Sequence, residues 1–298
     1  GAPDMTIAQC LYWAYKTGDS PQNRVVPYLT GLEEYTEAEW MALVEFLGIP
    51  YDPAVDTPRT KPYAYLRYKY RNNNPTPWTD EFRQIVIEYG NETWHQGAGG
   101  YGWDGWGRPG WVHQGGKEYG LFARYMFDEN VMQMPEWNQY RLGNKIKFSL
   151  GANYGGSENA YGELAARQGA SISYLGHANY VGPKWETNDP GTSVFDDHGV
   201  QMTLLGLHGS MKDLIEEAAA TRDALRLSGQ ADYELQAYEG GPSGYWTNKD
   251  NPEIDELYGK SAAMGLAALD AWLFSSQNGY KYQSYLGFSS GTWWSSHT

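Results

Sequence analysis

Ile85-Val86-Ile87-Glu88-Tyr89-Gly90-Asn91-Glu92-Thr93-Trp94 joins an apolar run to a polar pair and an aromatic residue. A buried strand that delivers side chains to a site at its carboxyl end has this pattern. Asn91 and Glu92 are adjacent, so on a regular strand they point to opposite faces. For both to reach one cleft, the strand must end or kink close to them. Taken alone, the stretch also reads as a plain exit into a polar turn, because Asn and Gly are common turn residues.

Strands and helices alternate outward from this stretch. Further strands are expected at 24–30, 145–150, 171–180, 233–239 and 282–288. Helices are expected at 5–17, 36–47, 117–128, 157–168, 210–227 and 252–276, the second opened by the capping-box pattern Thr36-Glu37-Ala38-Glu39. The proline-rich span 49–80 reads as an extended connector interrupted by a short helix at 63–70. Polar and aromatic residues gather where strands end, at Asn91, Glu92, Asn153, His177, Tyr180, Glu239 and Trp293. Several strands converging on one mouth favour an α/β fold of the TIM type, a (β/α)8 barrel, over an open sheet. The whole span 1–298 reads as a single catalytic barrel domain.

Composition narrows the chemistry. Net charge is −14 and the isoelectric point about 4.8, which argues against nucleic acid or an anionic membrane as partner. No apolar run reaches the length of about 18 residues that a membrane helix requires. The first residues, Gly-Ala-Pro-Asp-Met, are expected to carry no signal peptide. Cys10 is the single cysteine, so no intramolecular disulfide and no cysteine-based metal site is expected. Aromatics make up 15% of the chain, with 25 Tyr and 13 Trp against 8 Phe. Tyr and Trp combine an apolar face with a polar edge, which suits half-wet surfaces such as sugar-binding clefts and protein interfaces.

Glu92 and Glu239 end strands far apart in sequence. Two such carboxylates are what cleavage of a glycosidic bond requires: one protonates the leaving oxygen, the other attacks or activates water. Aromatic walls and a neighbouring carboxylate would keep the acid protonated at working pH.

At these residues the chain resembles the clan A glycoside hydrolases, retaining enzymes built on a (β/α)8 barrel, and in particular their arabinofuranosidase and cellulase-like members. Their fourth strand ends in an Asn-Glu pair, matched by Asn91-Glu92, and their seventh in the nucleophile, matched by Glu239 in Ala237-Tyr238-Glu239-Gly240-Gly241. Their sixth often ends in His followed three residues later by Tyr, matched by His177 and Tyr180. The resemblance implies Glu92 as acid/base, Glu239 as nucleophile and Asn91 as partner of the sugar 2-hydroxyl. It also implies that His177 and Tyr180 orient sugar and nucleophile, and that Trp293 or Trp294 forms a stacking floor. Trp94, Trp103, Trp106, Trp111 and Trp185 are further stacking candidates. A retaining mechanism sets the Glu92–Glu239 separation at about 5 to 5.5 Å. One feature departs from the family pattern. Three strands precede the Asn-Glu strand there, whereas only 24–30 is clear here, so the first one or two βα units are expected to be missing; a processed fragment, a second chain or another copy that completes the barrel, and a divergent start are the three readings of this.

Other motifs carry less. Gly97-Ala98-Gly99-Gly100-Tyr101-Gly102 matches a dinucleotide fingerprint but lacks the helix that must follow. Gly287-Phe288-Ser289-Ser290-Gly291 matches a nucleophile elbow with only seven residues remaining, too few for the partners of an esterase. The histidines show no metal spacing, and neither Asp196-Asp197 nor the segment 250–255 forms an EF-hand. The expectation is therefore a secreted or cell-surface retaining hydrolase of a polysaccharide or oligosaccharide, without cofactor or metal. The second reading is a non-catalytic carbohydrate-binding or self-assembling surface protein on the same barrel.

Overall fold

The computed structural model describes residues 6–91, 93, 115–152, 157, 159–181, 211–242 and 262–284. They fall into two compact units, residues 1–151 with 165–173, and residues 152–164 with 174–298. Six parallel strands follow the chain order: β1 (Tyr28–Gly31), β2 (Ile85–Tyr89), β3 (Ile146–Gly151), β4 (Tyr174–Val181), β5 (Glu234–Pro242) and β6 (Tyr280–Gln283). Helices α1 (Ile7–Tyr15), α2 (Glu37–Gly48), α3 (Pro62–Tyr70), α4 (Trp78–Glu81), α5 (Gly116–Asp128), α6 (Pro135–Gln139), α7 (Tyr161–Ala166), α8 (Lys212–Leu227) and α9 (Ala262–Gln277) alternate with them. Among the described residues the sheet is thus an incomplete barrel, six strands against the eight of a closed one.

In the first unit the helices start where the sequence provides caps. Thr6 accepts from the backbone N–H of Gln9, and Gln9 Oε1 accepts from that of Thr6 at 2.9 Å. Thr36 and Glu39 make the same reciprocal box at the start of α2, with Thr36 N–H donating to Glu39 Oε2 at 2.7 Å. The far end of α2 is closed by a side chain from α3. Arg67 is fully buried and donates to the carbonyls of Phe46 at 2.9 Å and Ile49 at 2.7 Å. It thereby satisfies acceptors that the helix leaves open, and the cation complements the negative end of the helix. Burial, reinforced by the nearby charge of Arg71, pushes Arg67 down to about 10.

Strand pairing divides the residues of this unit into two faces. Thr30 pairs with Glu88 and Glu88 with Ser149, so Tyr28, Thr30, Val86, Glu88 and Ser149 share one face. Leu29, Gly31, Ile85, Ile87, Tyr89, Phe148 and Leu150 take the other, which the helices cover. Here the rings of Phe127 and Phe148 stack at 3.9 Å, and Trp40 packs on Tyr89 at 5.6 Å and on Phe127 at 5.7 Å. Trp40 also fills the space over Gly31, where an added Cβ would collide with its six-membered ring. On the opposite face Tyr28 reaches Glu88 and Ser149; burial first, then the Glu88 charge, raises its phenol well above the usual tyrosine range.

In the second unit β4, β5 and β6 pair in parallel. From α8, Ile215, Ala218, Arg222 and Leu225 are buried, and from α9, Ala267, Ala268, Ala271 and Ser275. Ser275 Oγ accepts from Asn179 Nδ2 at 3.3 Å.

Each expected strand has its counterpart. The helix read at 157–168 is confined to Tyr161–Ala166, and the connector holds, besides α3, the short helix α4. Glu81 at the end of α4 is bridged by Arg24 at 2.8 Å and by Arg71, which ties the connector down. The first part of the helix read at 252–276 and the end of the strand read at 282–288 lie outside the described residues. Replacing Gly31 by Ala should destabilise the protein by about 1–3 kcal/mol, because the methyl must displace an indole held on all sides. The shift in urea midpoint at unchanged slope measures it.

Candidate active site

The expected kink is present at the end of β2. The strand stops at Tyr89, and Gly90 adopts φ +74, a left-handed conformation open to glycine at little cost. Asn91 follows, half-buried. Tyr119, from α5, fixes the frame beneath this turn. Its O–H donates to the Tyr89 carbonyl at 2.5 Å, and it accepts from the Gly151 N–H at 3.1 Å, so one phenol joins the carboxyl ends of β2 and β3.

Beside the turn stands a residue that the sequence reading did not select. Glu33 lies two positions beyond β1, and its Oε2 would be 2.8 Å from a Cβ on Gly90. Burial raises its carboxyl to about 7, and the like charge of Glu34 adds to the shift against a lowering hydrogen bond from its own backbone. Thr93 approaches Gly90 from the chain side.

In the second unit a bulge decides where Glu239 points. His177 pairs with Ala237, yet Ala178 pairs with Glu239, so Tyr238 is an extra residue in β5. A bulge of this kind breaks the alternation of the strand. Simple alternation would put Glu239 with Leu235 and Ala237 on the face that α9 covers. The bulge turns it to the face of Ala178 and Tyr180, the half-buried Glu239 and the buried Tyr180 lying on neighbouring strands.

His177 and Tyr180 are three residues apart and fall on opposite faces. His177 faces the helices, where its Nε2 meets Glu163 Oε1 of α7 at 2.9 Å and its Nδ1 meets the hydroxyl of Tyr280 at 3.4 Å. The tautomer that donates from Nε2 and accepts at Nδ1 satisfies both contacts. Burial and the charge of Glu163 raise the Tyr280 phenol well above its usual range, so it stays a donor. Glu163 is fully buried, and among the described residues its second oxygen has no partner. Glu163 had no sequence signal of its own, being one carboxylate on a short helix. Glu92, Trp94, Trp185 and Trp293 lie outside the described residues, as does the glycine-rich segment through Gln114, so the expected Glu92–Glu239 separation falls outside them too.

No family model matches the sequence, and no curated protein does. Solved structures do match. A GH51 arabinofuranosidase from Xanthomonas axonopodis pv. citri aligns with a TM-score of 0.53 at 19% identity, over 87% of this chain and 45% of its own. AbfB, a family 51 alpha-L-arabinofuranosidase from Bifidobacterium longum, aligns with a TM-score of 0.59 at 13% identity, over 94% of this chain and 49% of its own. Over the aligned part the chain shares the barrel fold of these proteins. It spans about half the length of these glycoside hydrolases. At such identities the likeness establishes the barrel architecture, and the chemistry has to be argued from the residues. No helix among the described residues is long and apolar enough to cross a membrane.

Two measurements probe this geometry. Glu163→Ala should cost about 2–4 kcal/mol in urea unfolding, since it leaves a cavity and removes the acceptor that His177 uses. Glu33 gives a pH dependence of stability with an inverted sign. Its folded pKa of about 7 lies above its ordinary value of 4.5, so between these values the folded chain keeps a proton that the unfolded chain has released. Stability from this group is present below pH 4.5, falls as pH rises through the window, and is gone above about 7. Glu33→Gln should flatten that fall in unfolding curves taken across the window.

Proposed function

We propose that this chain is the catalytic barrel of a retaining glycoside hydrolase, with Glu239 as nucleophile and Glu92 as acid/base. The bulge in β5 is the observation that carries the reading. It turns one carboxylate away from the helix-covered face, at the carboxyl end of a strand in a glycoside hydrolase fold, where barrel enzymes hold their catalytic groups.

In this reading Glu239 attacks the anomeric carbon while Glu92 gives its proton to the leaving oxygen. The resulting glycosyl ester on Glu239 is then hydrolysed by a water that Glu92 deprotonates. Asn91 receives the sugar 2-hydroxyl, and Tyr180 stands beside the nucleophile. Trp94, Trp185 and Trp293 supply stacking faces for the sugar, whose C–H surface packs on indole. His177 acts at one remove, by fixing the layer between sheet and helices on which β4 and β5 rest. The substrate is a polysaccharide or oligosaccharide, with arabinofuranosides the first class to try because the two aligned structures are arabinofuranosidases. One catalytic domain over 1–298, a secreted or cell-surface location, and completion of the barrel by a second chain or copy belong to the same proposal.

Release of new reducing ends from a panel of plant and algal polysaccharides tests it, with Glu239→Gln as the paired variant. The expected result is hydrolysis on at least one substrate and a loss on the order of 10⁴-fold in the variant. Folded wild-type protein that releases nothing from any of them would overturn the hydrolase in favour of a carbohydrate-binding protein.

A further inference from the structure

Several of the less exposed acids among the described residues are held by a cation or a histidine. Glu81 takes two arginines, Arg24 and Arg71; Asp56 takes Lys61 at 2.9 Å; Glu163 takes His177. Glu33 is not. Among the described residues no cation pairs with it, and its hydrogen bond comes from its own backbone. A half-buried carboxyl without a cation is a net cost to folding, and such groups are retained where a ligand uses them.

Its position says which ligand. Glu33 follows β1 within the turn closed by the Tyr35 N–H on the Leu32 carbonyl at 3.1 Å, so it stands at the carboxyl end of the strand. Its carboxylate does not turn outward along that loop. Oε2 and Cδ would lie 2.8 and 3.3 Å from a Cβ on Gly90, and Thr93 Cγ2 would lie 2.5 Å from the same point. The acid thus fills the space that the missing side chain of Gly90 leaves, against the turn that carries Asn91 and, in sequence, Glu92. Among the described residues the charged neighbour is Glu34 in its own turn, also acidic, while Asn91 and Thr93 of the facing turn are neutral.

We propose that Glu33 contacts substrate, its carboxyl hydrogen-bonding a sugar hydroxyl at the position next to Asn91, and so helps to set which sugar is accepted. This rests on the carbohydrate reading given under Proposed function. A sugar hydroxyl both donates and accepts, and a carboxyl near neutrality offers it either role, acceptor when ionised and donor when protonated. No bond of the substrate is made or broken by this residue; Glu33 acts on binding and orientation.

Calorimetric titration of arabinotriose, xylotriose, cellotriose and laminaritriose, together with initial-rate kinetics on the same sugars, tests this with wild type, Glu33→Gln, Glu33→Ala and Glu239→Gln. Thermal melts confirm that each variant is folded. Glu33→Ala should raise Kd and KM about tenfold or more with kcat changed far less, and Glu33→Gln, which keeps a donor and an acceptor, should restore most of the loss. The wild-type Kd should also change between pH 5.5 and pH 8.5, on either side of about 7, and that change should vanish in Glu33→Gln. A folded Glu33→Ala with unaltered Kd and KM, beside a dead Glu239→Gln, overturns the role of Glu33 and leaves the hydrolase standing. Wild type that binds a sugar without cleaving it, with weakened binding in Glu33→Ala, sustains Glu33 and overturns the hydrolase. Wild type that neither binds nor cleaves any of the sugars overturns both.

Discussion

Trp40 lies flat where a side chain at Gly31 would be, and the first unit is built around that contact. The indole comes from α2, reaches the end of β1, and touches Tyr89 of β2 and Phe127 of α5, so a single ring sets the spacing between one layer of helices and two strands. Aromatic contacts of this kind are non-directional in bulk but restrictive in detail, because a close-packed interior leaves no room for a displaced ring. Gly31 and Trp40 are a matched pair: the small residue exists for the large one. The same packing holds the carboxyl ends of β1 and β2 side by side, and with them Glu33 and the Gly90 turn.

A parallel sheet covered by helices gives each strand one greasy face and one face free for other chemistry. In the first unit the second face carries the half-buried Tyr28 with the buried Glu88 and Ser149, a polar set that apolar packing alone would not select. In the second unit the helix-covered face contains its own polar set, Glu163, His177 and Tyr280. These two sets differ in kind. The histidine set lies under the helices, and it steadies β4 from behind. The residues at the strand ends stand apart from both sets, Asn91 and Glu33 in the first unit and Tyr180 and Glu239 in the second.

Much of the architecture could be read from local pattern, since the apolar run Ile85 to Ile87 leads into Gly90-Asn91, the alternating stretch Lys145 to Leu150 lies between Asn144 and Gly151, and Thr36 and Glu39 announce their helix. The short helices α4 and α6 could not, because a single turn leaves no periodicity to detect. The candidate site was legible at Asn91 and Glu239, which stand beside glycines after apolar runs. Glu33 was not, because in Gly31-Leu32-Glu33-Glu34-Tyr35 it looks like any solvated acid, and only the approach of Gly90 from another strand buries it. His177 was legible as a polar residue in an apolar strand, but the face it takes follows from pairing with β5, which no local pattern reports.

The extra residue at Tyr238 has a consequence for how such proteins are compared and altered. In β5 the count of residues carries as much information as their identity: loss of one codon upstream of Glu239 within the strand would leave every remaining side chain chemically intact and reverse the side to which the glutamate points. An alignment that scores substitutions and treats a single gap as a minor event would see two nearly identical strands. The molecule would see one with its acid on the face of Ala178 and Tyr180 and one with its acid under a helix.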